Sequence, residues 1–240
     1  MVYNHHMIKL ILVDFDDTLY LSEEACFHLE NKIAARLGFS PMSRKSHLAN
    51  WGQPLNKVIS QRIPGIDTDA FMKLFPVVSH EEALKGNFDN IPNKNIETIK
   101  KLKAEGYLFV ILTPREGREI GHLISTGASV MNTIDGLFYQ ERYQYKKPDP
   151  RIFLLPESVF KVGFNEMVYV SNTLSDVKLC NEAGVHFIAS VENKLRKPED
   201  FKSLGAKWII NKFTDLPKQI ALLNNALEKE VKLPSHKPII

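Results

Sequence analysis

Asp14, Asp16 and Asp17 stand in the run Asp14-Phe15-Asp16-Asp17-Thr18-Leu19, directly after the apolar stretch Met7 to Val13. Two carboxylates two residues apart at a strand end can share a displacement: one attacks and the other moves a proton. A carboxylate nucleophile splits phosphoester hydrolysis into two easier steps through an aspartyl-phosphate. A neighbouring acid protonates the departing oxygen and then, as a base, activates water. Taken alone, the triplet also reads as an acidic loop in which Thr18 caps a helix.

Other polar groups follow the same rule of position. Thr113 closes the apolar run Tyr107 to Leu112 and is followed by Pro114 and Arg115. Ser171, Asn172, Thr173 and Asp176 follow Met167 to Val170, and Lys147 opens the turn-like Lys147-Pro148-Asp149-Pro150. Each has a structural reading as well. Thr113 with Pro114 can start a helix, Lys147-Pro148 can be a charged turn, and Ser171, Asn172 or Thr173 can cap the next helix. Arg115 is either close to a ligand at this edge or a solvated first-turn residue.

The elements that must position these groups alternate between strand and helix. Met7–Val13, Tyr107–Leu112, Met167–Val170, Val185–Ala189 and Trp208–Ile210 are strand-length apolar runs, as buried parallel strands are. Asn93 or Asn95 can cap a helix carrying Ile96, Ile99 and Leu102, with Gly106 just past its end. A second helix after Pro114 carries Ile120, Leu123 and Ile124 and stops at Gly127; a third spans Thr173 to Ala183 and stops at Gly184. This order predicts an α/β fold, a Rossmann-like parallel sheet flanked by helices. In such sheets ligands bind beyond the carboxyl ends of the strands, so the polar groups should meet in one crevice. Residues 20–90 break the alternation. Cys26, Leu29, Ile33 and Leu37 share a helix face, Pro54–Arg62 and Asp69–Phe75 read as shorter helices, and Ser40–Ser46 and Pro64-Gly65 read as turns. Too long for a loop, the segment should be a helical insertion with its own small core.

Asp14-Phe15-Asp16-Asp17-Thr18 resembles the first motif, Asp-x-Asp-x-Thr, of phosphatases of the haloacid dehalogenase-like superfamily. The later motifs of that family have counterparts in order: Thr113, Lys147 before Pro148, and Ser171-Asn172 with Asp176, followed by an Asn-Ala-Gly-like helix end at Asn181 to Gly184. The resemblance covers residues 8–19 and about 92–215. It implies a catalytic core of residues 1–19 and 91–240, with residues 20–90 as an α-helical C1 cap. It further implies a Mg²⁺-dependent phosphatase with Asp14 as nucleophile and Asp16 as acid and base. Thr113 would bond the phosphoryl oxygens, and Lys147 would hold Asp14 ionised and offset phosphoryl charge. Asp14, the Asp16 backbone carbonyl and Asn172 would be the metal ligands, supported by Asp176; Mg²⁺ prefers such oxygen donors. Arg115, two residues after Thr113, is a further substrate-binding candidate. In the cap, Arg44, Lys45, His47, Trp51, Lys57 and Arg62 could face a substrate. A lid over the site favours a small phosphorylated metabolite, whose identity the sequence leaves open, as it does the oligomeric state.

The fourth motif departs from the family pattern. Ser171 replaces its Gly, and Asn172 replaces the acidic metal ligand, an amide oxygen without charge. Weaker metal binding is expected. The Ser-Asn pair also raises a second reading, a metal-independent 2-haloacid dehalogenase. Against it stand Asp16, which those enzymes lack, and the phosphatase-like spacing from Asn172 to Asp176. A phosphomutase and a catalytically weakened binding protein on the same fold are further alternatives.

Of 240 residues, 44% are hydrophobic and 25% charged, enough for one sizeable core and a smaller satellite. The net charge of +3 is scattered, which argues against nucleic acid as a partner. The apolar runs are too short to span a membrane and the first ten residues do not resemble a signal peptide, so the expected location is the cytoplasm. Cys26 and Cys180 are expected as free, buried thiols. His5 and His6 are expected to be part of a flexible tail without a metal role, and the stretch after Val231 a loose tail.

Overall fold

The computed structural model describes residues 7–125 and 127–232 of the chain; His5, His6 and residues 233–240 lie outside them. Its elements, in order, are β1 (Leu10–Val13), α1 (Glu23–Arg36), α2 (Arg44–Leu48), α3 (Leu55–Arg62), α4 (Thr68–Leu84), α5 (Asn93–Ala104), β2 (Leu108–Leu112), α6 (Gly117–Ser125), β3 (Gly136–Phe138), α7 (Leu154–Phe160), β4 (Met167–Ser171), α8 (Leu174–Ala183), β5 (His186–Ser190), α9 (Pro198–Lys202), β6 (Trp208–Ile210) and α10 (Leu216–Lys232). All six strands are parallel, in the order β3-β2-β1-β4-β5-β6.

Every residue of β1 and β4 is buried, which is why both read as unbroken apolar runs. Side chains alternate across the sheet. Ile11, Val13, Phe109 and Ile111 pack with Ile96, Ile99 and Leu102 of α5 and Ile220 and Leu223 of α10. Leu10, Leu12, Val110 and Leu112 pack on the other face with Val177 and Cys180 of α8. Helices therefore cover both faces, as the alternation requires. Val13 is level with Ile111 on one side and Val170 on the other. Asp14 is thus level with Leu112 and Ser171, and Thr113 lies one residue beyond. The chain builds outward from β1 through β2 to β3, then returns to β1's other edge with β4. That reversal leaves a crevice at the carboxyl ends beside β1.

Helices α1, α3 and α4 pack on a third cluster that includes Leu29, Ile33, Ile59, Phe71, Phe75 and Val78. Cys26 and Cys180 are free and buried. Among the described residues no helix is long and apolar enough to cross a membrane.

Several local expectations need correction. The sheet has a sixth strand, β3, whose three residues are only half-buried at an edge. The turn-rich Ser40–Ser46 contains the start of α2, where Ser43 Oγ accepts the Ser46 amide. Helix α4 runs through Pro76 to Leu84, because Val78 and Ser79 are buried and reward its continuation. Pro92 takes the N-cap position of α5 and Asn95 lies inside the helix, its amide donating to the Leu19 carbonyl at 2.8 Å. Ile124 is exposed on α6.

Candidate active site

Asp14 leaves β1 with its amide donating to the Val170 carbonyl at 2.9 Å, so both central strands fix its backbone. Its carboxylate is buried, and among the described residues Oδ1 accepts no close hydrogen bond. Lys147 Nζ lies 3.4 Å from that oxygen and 3.0 Å from Asp176 Oδ2. The ammonium also sits 4.8 Å from the centre of the Tyr169 ring, a favourable cation–π distance. Burial pushes Asp14 up to about 7, with Lys147 pulling the other way and Asp176 and Asp16 adding to the rise. Lys147 acts in the expected direction, yet desolvation is the larger effect. Burial alone would lower Lys147; the Asp14 and Asp176 carboxylates outweigh it and hold the ammonium well above its ordinary range.

Ser171, level with Asp14, organises the fourth motif. Its hydroxyl donates to Asp176 Oδ2 at 2.6 Å and accepts the Thr173 amide at 3.1 Å. Lys147 and Ser171 together pin one oxygen of Asp176, leaving buried Oδ1 without a hydrogen-bond partner among the described residues. The Thr18 hydroxyl donates to Asn172 Oδ1 at 3.3 Å, linking the first motif to the fourth. Helix α8 ends on Gly184 at φ 73°, a left-handed cap that glycine adopts without a Cβ penalty.

Thr113 is fully buried, its amide donating to the Phe138 carbonyl at 2.9 Å. Its carbonyl accepts the Tyr143 hydroxyl at 2.7 Å, and its Oγ1 accepts the Arg115 amide at 3.3 Å. Asp16 faces Arg115, whose Nε lies 2.8 Å from Oδ2 and whose Nη2 lies 2.5 Å from Oδ1. The same guanidinium donates through Nη1 to Asp89 Oδ2 at 2.7 Å. Lys147 thus pairs with both Asp14 and Asp176, Asp16 pairs with Arg115, Thr18 joins Asn172, and sheet register places Thr113 beside them.

Sequence reasoning passed over Asp17, Asp89 and His122. Asp17 adopts φ 55° and is nearly fully buried. Its Oδ1 accepts the Ser22 and Glu23 amides at 2.9 and 3.1 Å, and its Oδ2 accepts Trp51 Nε1 at 2.6 Å. Burial pushes this carboxyl up to about 6, with Asp16 adding to the rise and the indole and amide donors opposing it. The signal was in the sequence, since Asp17 belongs to the same acidic triplet. Nothing local marks Asp89 or His122, whose importance comes only from the fold.

The insertion residues divide. Trp51 reaches the first-motif loop through Asp17. Arg62 and His47 are buried inside the insertion: Arg62 Nη1 lies 2.8 Å from both oxygens of Glu30, and His47 Nδ1 lies 3.3 Å from Glu30 Oε2. Arg44 pairs with Glu23, while Lys45 and Lys57 are exposed.

Comparison with known proteins follows the same lines. The model of the haloacid dehalogenase-like hydrolase family matches residues 11–190. Among solved structures, a family IA variant 3 hydrolase from Entamoeba histolytica aligns with TM-score 0.74 at 17% identity, covering 91% of this chain and all 100% of its own. A predicted phosphoglycolate phosphatase from Haemophilus somnus 129PT aligns with TM-score 0.72 at 18% identity, covering 89% and 98%. CbbY from Rhodobacter sphaeroides, solved with phosphate, aligns with TM-score 0.69 at 18% identity, covering 87% and 96%. A search of curated sequences gave no significant match. These identities speak for the fold alone; the family model spans most of the chain and includes β1, β2, β4 and β5. The chain belongs to the haloacid dehalogenase-like hydrolases.

Proposed function

We propose that the chain is a Mg²⁺-dependent phosphatase that hydrolyses a small phosphorylated metabolite through an aspartyl-phosphate on Asp14. The observation that carries this reading is the buried Asp14 carboxylate at the end of β1, its Oδ1 ion-paired with Lys147 at 3.4 Å, with a second carboxylate two residues on. One oxygen of the Asp14 carboxylate attacks phosphorus while the other stays available to a cation, the ester P–O bond breaks, and Asp16 gives its proton to the leaving oxygen. Water then gives a proton to Asp16 and attacks phosphorus, breaking the bond to Asp14 and releasing inorganic phosphate. Lys147 offsets charge on the phosphoryl oxygens, and the Thr113 hydroxyl serves as their hydrogen-bond partner.

The donor set fits the metal the family implies. Asp14 Oδ1 is a hard oxygen with no close hydrogen bond among the described residues, and Asn172 Oδ1 holds long contacts, 3.3 Å to Thr18 Oγ1 and 3.4 Å to Thr173 Oγ1. With the Asp16 carbonyl they form an oxygen set that suits Mg²⁺, with Asp176 in support. Among the described residues no three His, Cys, Asp or Glu side chains form a metal-sized group, so the proposed set rests on a backbone carbonyl and an amide beside Asp14. Bound there, Mg²⁺ would neutralise charge on the transferring group.

The helical insertion, residues 20–90, is assigned as a C1 cap that covers the crevice and limits substrates to small molecules. Two free buried thiols fit a cytoplasmic setting. Asp16 favours a phosphatase over a dehalogenase, because attack on carbon needs no acid there. The test is a screen of phosphorylated metabolites with Mg²⁺. Release of phosphate from at least one, abolished in Asp14→Asn, is expected. Halide release from a 2-haloacid without metal, or ester binding without turnover at saturating Mg²⁺, would overturn the reading.

A further inference from the structure

Behind Asp16 lies a buried polar chain that the phosphatase chemistry above leaves unused. Arg115 grips both oxygens of Asp16 through Nε and Nη2, at 2.8 and 2.5 Å. On its far side Nη1 donates to Asp89 Oδ2 at 2.7 Å, and His122 Nε2 lies 2.8 Å from that same oxygen. The guanidinium is held between the Phe15 and Phe88 rings, 4.8 and 5.6 Å from their centres. Side-chain exposure is 9% for Arg115, 0% for Asp89 and 2% for His122, against 28% for Asp16. Only the Asp16 end of the chain therefore opens towards the crevice.

Four side chains from separate stretches make this chain: the loop after β1, the segment that returns from α4 to α5, the connection after β2, and α6. Burying a guanidinium against two carboxylates is a poor route to stability, because desolvation consumes most of the Coulomb gain. What the arrangement does supply is orientation. A two-pronged Arg–carboxylate pair fixes the plane and rotation of the carboxylate, which a lysine point charge cannot do. We propose that Arg115 is a positioning residue that fixes the Asp16 carboxylate for proton transfer, and that Asp89, supported by His122, holds Arg115 in place. The proposal rests on the reading of Asp16 as acid and base. It gives Asp89, outside the catalytic motifs, an effect on one chemical step.

The test compares kcat/KM for phenyl phosphate, a poor leaving group, and 4-nitrophenyl phosphate, a good one, with Mg²⁺. Protonation of the leaving oxygen matters more for the first. Asp16→Asn, Arg115→Met and Asp89→Asn should each lose about tenfold or more on phenyl phosphate, with a clearly smaller loss on 4-nitrophenyl phosphate. The double variant Asp16→Asn with Arg115→Met should be no slower than Asp16→Asn alone, since a positioning residue has nothing left to orient. Equal losses on both esters, a rise in KM alone, or multiplying losses in the double variant would overturn the proposal. Circular dichroism checks folding; if Arg115→Met does not fold, Asp89→Asn and its double variant with Asp16→Asn decide by the same criteria. An Asp16→Asn enzyme without leaving-group bias would instead refute the acid–base role of Asp16, a separate failure.

Discussion

The nucleophile is shaped by two opposed forces on one carboxylate. Burial favours the protonated form of Asp14, and Lys147 at 3.4 Å favours the ionised one. A cation binding at Asp14 Oδ1 would add to the second force. At Asn172 the missing charge should therefore be felt in metal affinity. Asn172→Asp keeps an acceptor for Thr18 and adds a negative charge. It should tighten Mg²⁺ about tenfold, some 1.4 kcal/mol, read by calorimetry and by the Mg²⁺ dependence of activity; unchanged affinity would remove Asn172 from the ligand set. Asp14, Thr113 and Lys147 were legible because each follows a strand-like run or precedes a proline. Asp89 and His122 were not, since their meaning lies in contacts made by the fold, Asp89 with Arg115 across 26 residues and His122 with Asp89 across 33, where no periodicity points to them.

Elements carry the next set of consequences. Glu82 in α4 is held down to about 2 by hydrogen bonds from Lys32 of α1, Lys85 and Asn87. A carboxyl lowered in the folded state gives stability that is fully present above its unfolded value, 4.5. That stability is lost as pH falls towards 2. Thermal melts should show Glu82→Gln losing stability at pH 6 but converging with wild type near pH 2; equal melting at both values would contradict this. Trp51 joins the insertion to the first-motif loop by one hydrogen bond to Asp17. Trp51→Phe leaves a buried carboxylate oxygen without its donor and should cost roughly 1–3 kcal/mol in urea unfolding. Strands buried on both faces were readable as continuous apolar runs, whereas β3 is three half-buried residues at an edge and gave no such run. Helix α4 was cut short at Phe75 because Pro76 removes an amide donor; burial of Val78 and Ser79 outweighs that loss.

At the scale of the whole molecule, two apolar layers cover the two faces of the sheet and a separate cluster lies within the insertion. Phe109 is fully buried in the layer beneath α5 and packs edge-on to Phe213, with ring centres 6.4 Å apart. Phe109→Ala should lower stability by about 3–5 kcal/mol, measured by urea unfolding, and a cost under ~1 kcal/mol would show that this layer is not the core. The parallel α/β architecture was readable from the order of elements alone, since alternating strands and helices leave few topologies. Helix α10 was not read, although Leu216, Ile220 and Leu223 fall on one buried face. Its Asn224 side chain accepts the Ile8 amide at 2.8 Å and donates to the Tyr107 hydroxyl at 2.9 Å, fastening the entries of β1 and β2. The covalent intermediate is the point on which the functional account turns. Rapid acid quench during turnover of 4-nitrophenyl phosphate with Mg²⁺, followed by peptide mass spectrometry, should find a phosphoryl group on the peptide containing Asp14 and none in Asp14→Asn. Steady turnover with the phosphoryl group on another residue, or undiminished turnover in Asp14→Asn, would contradict it.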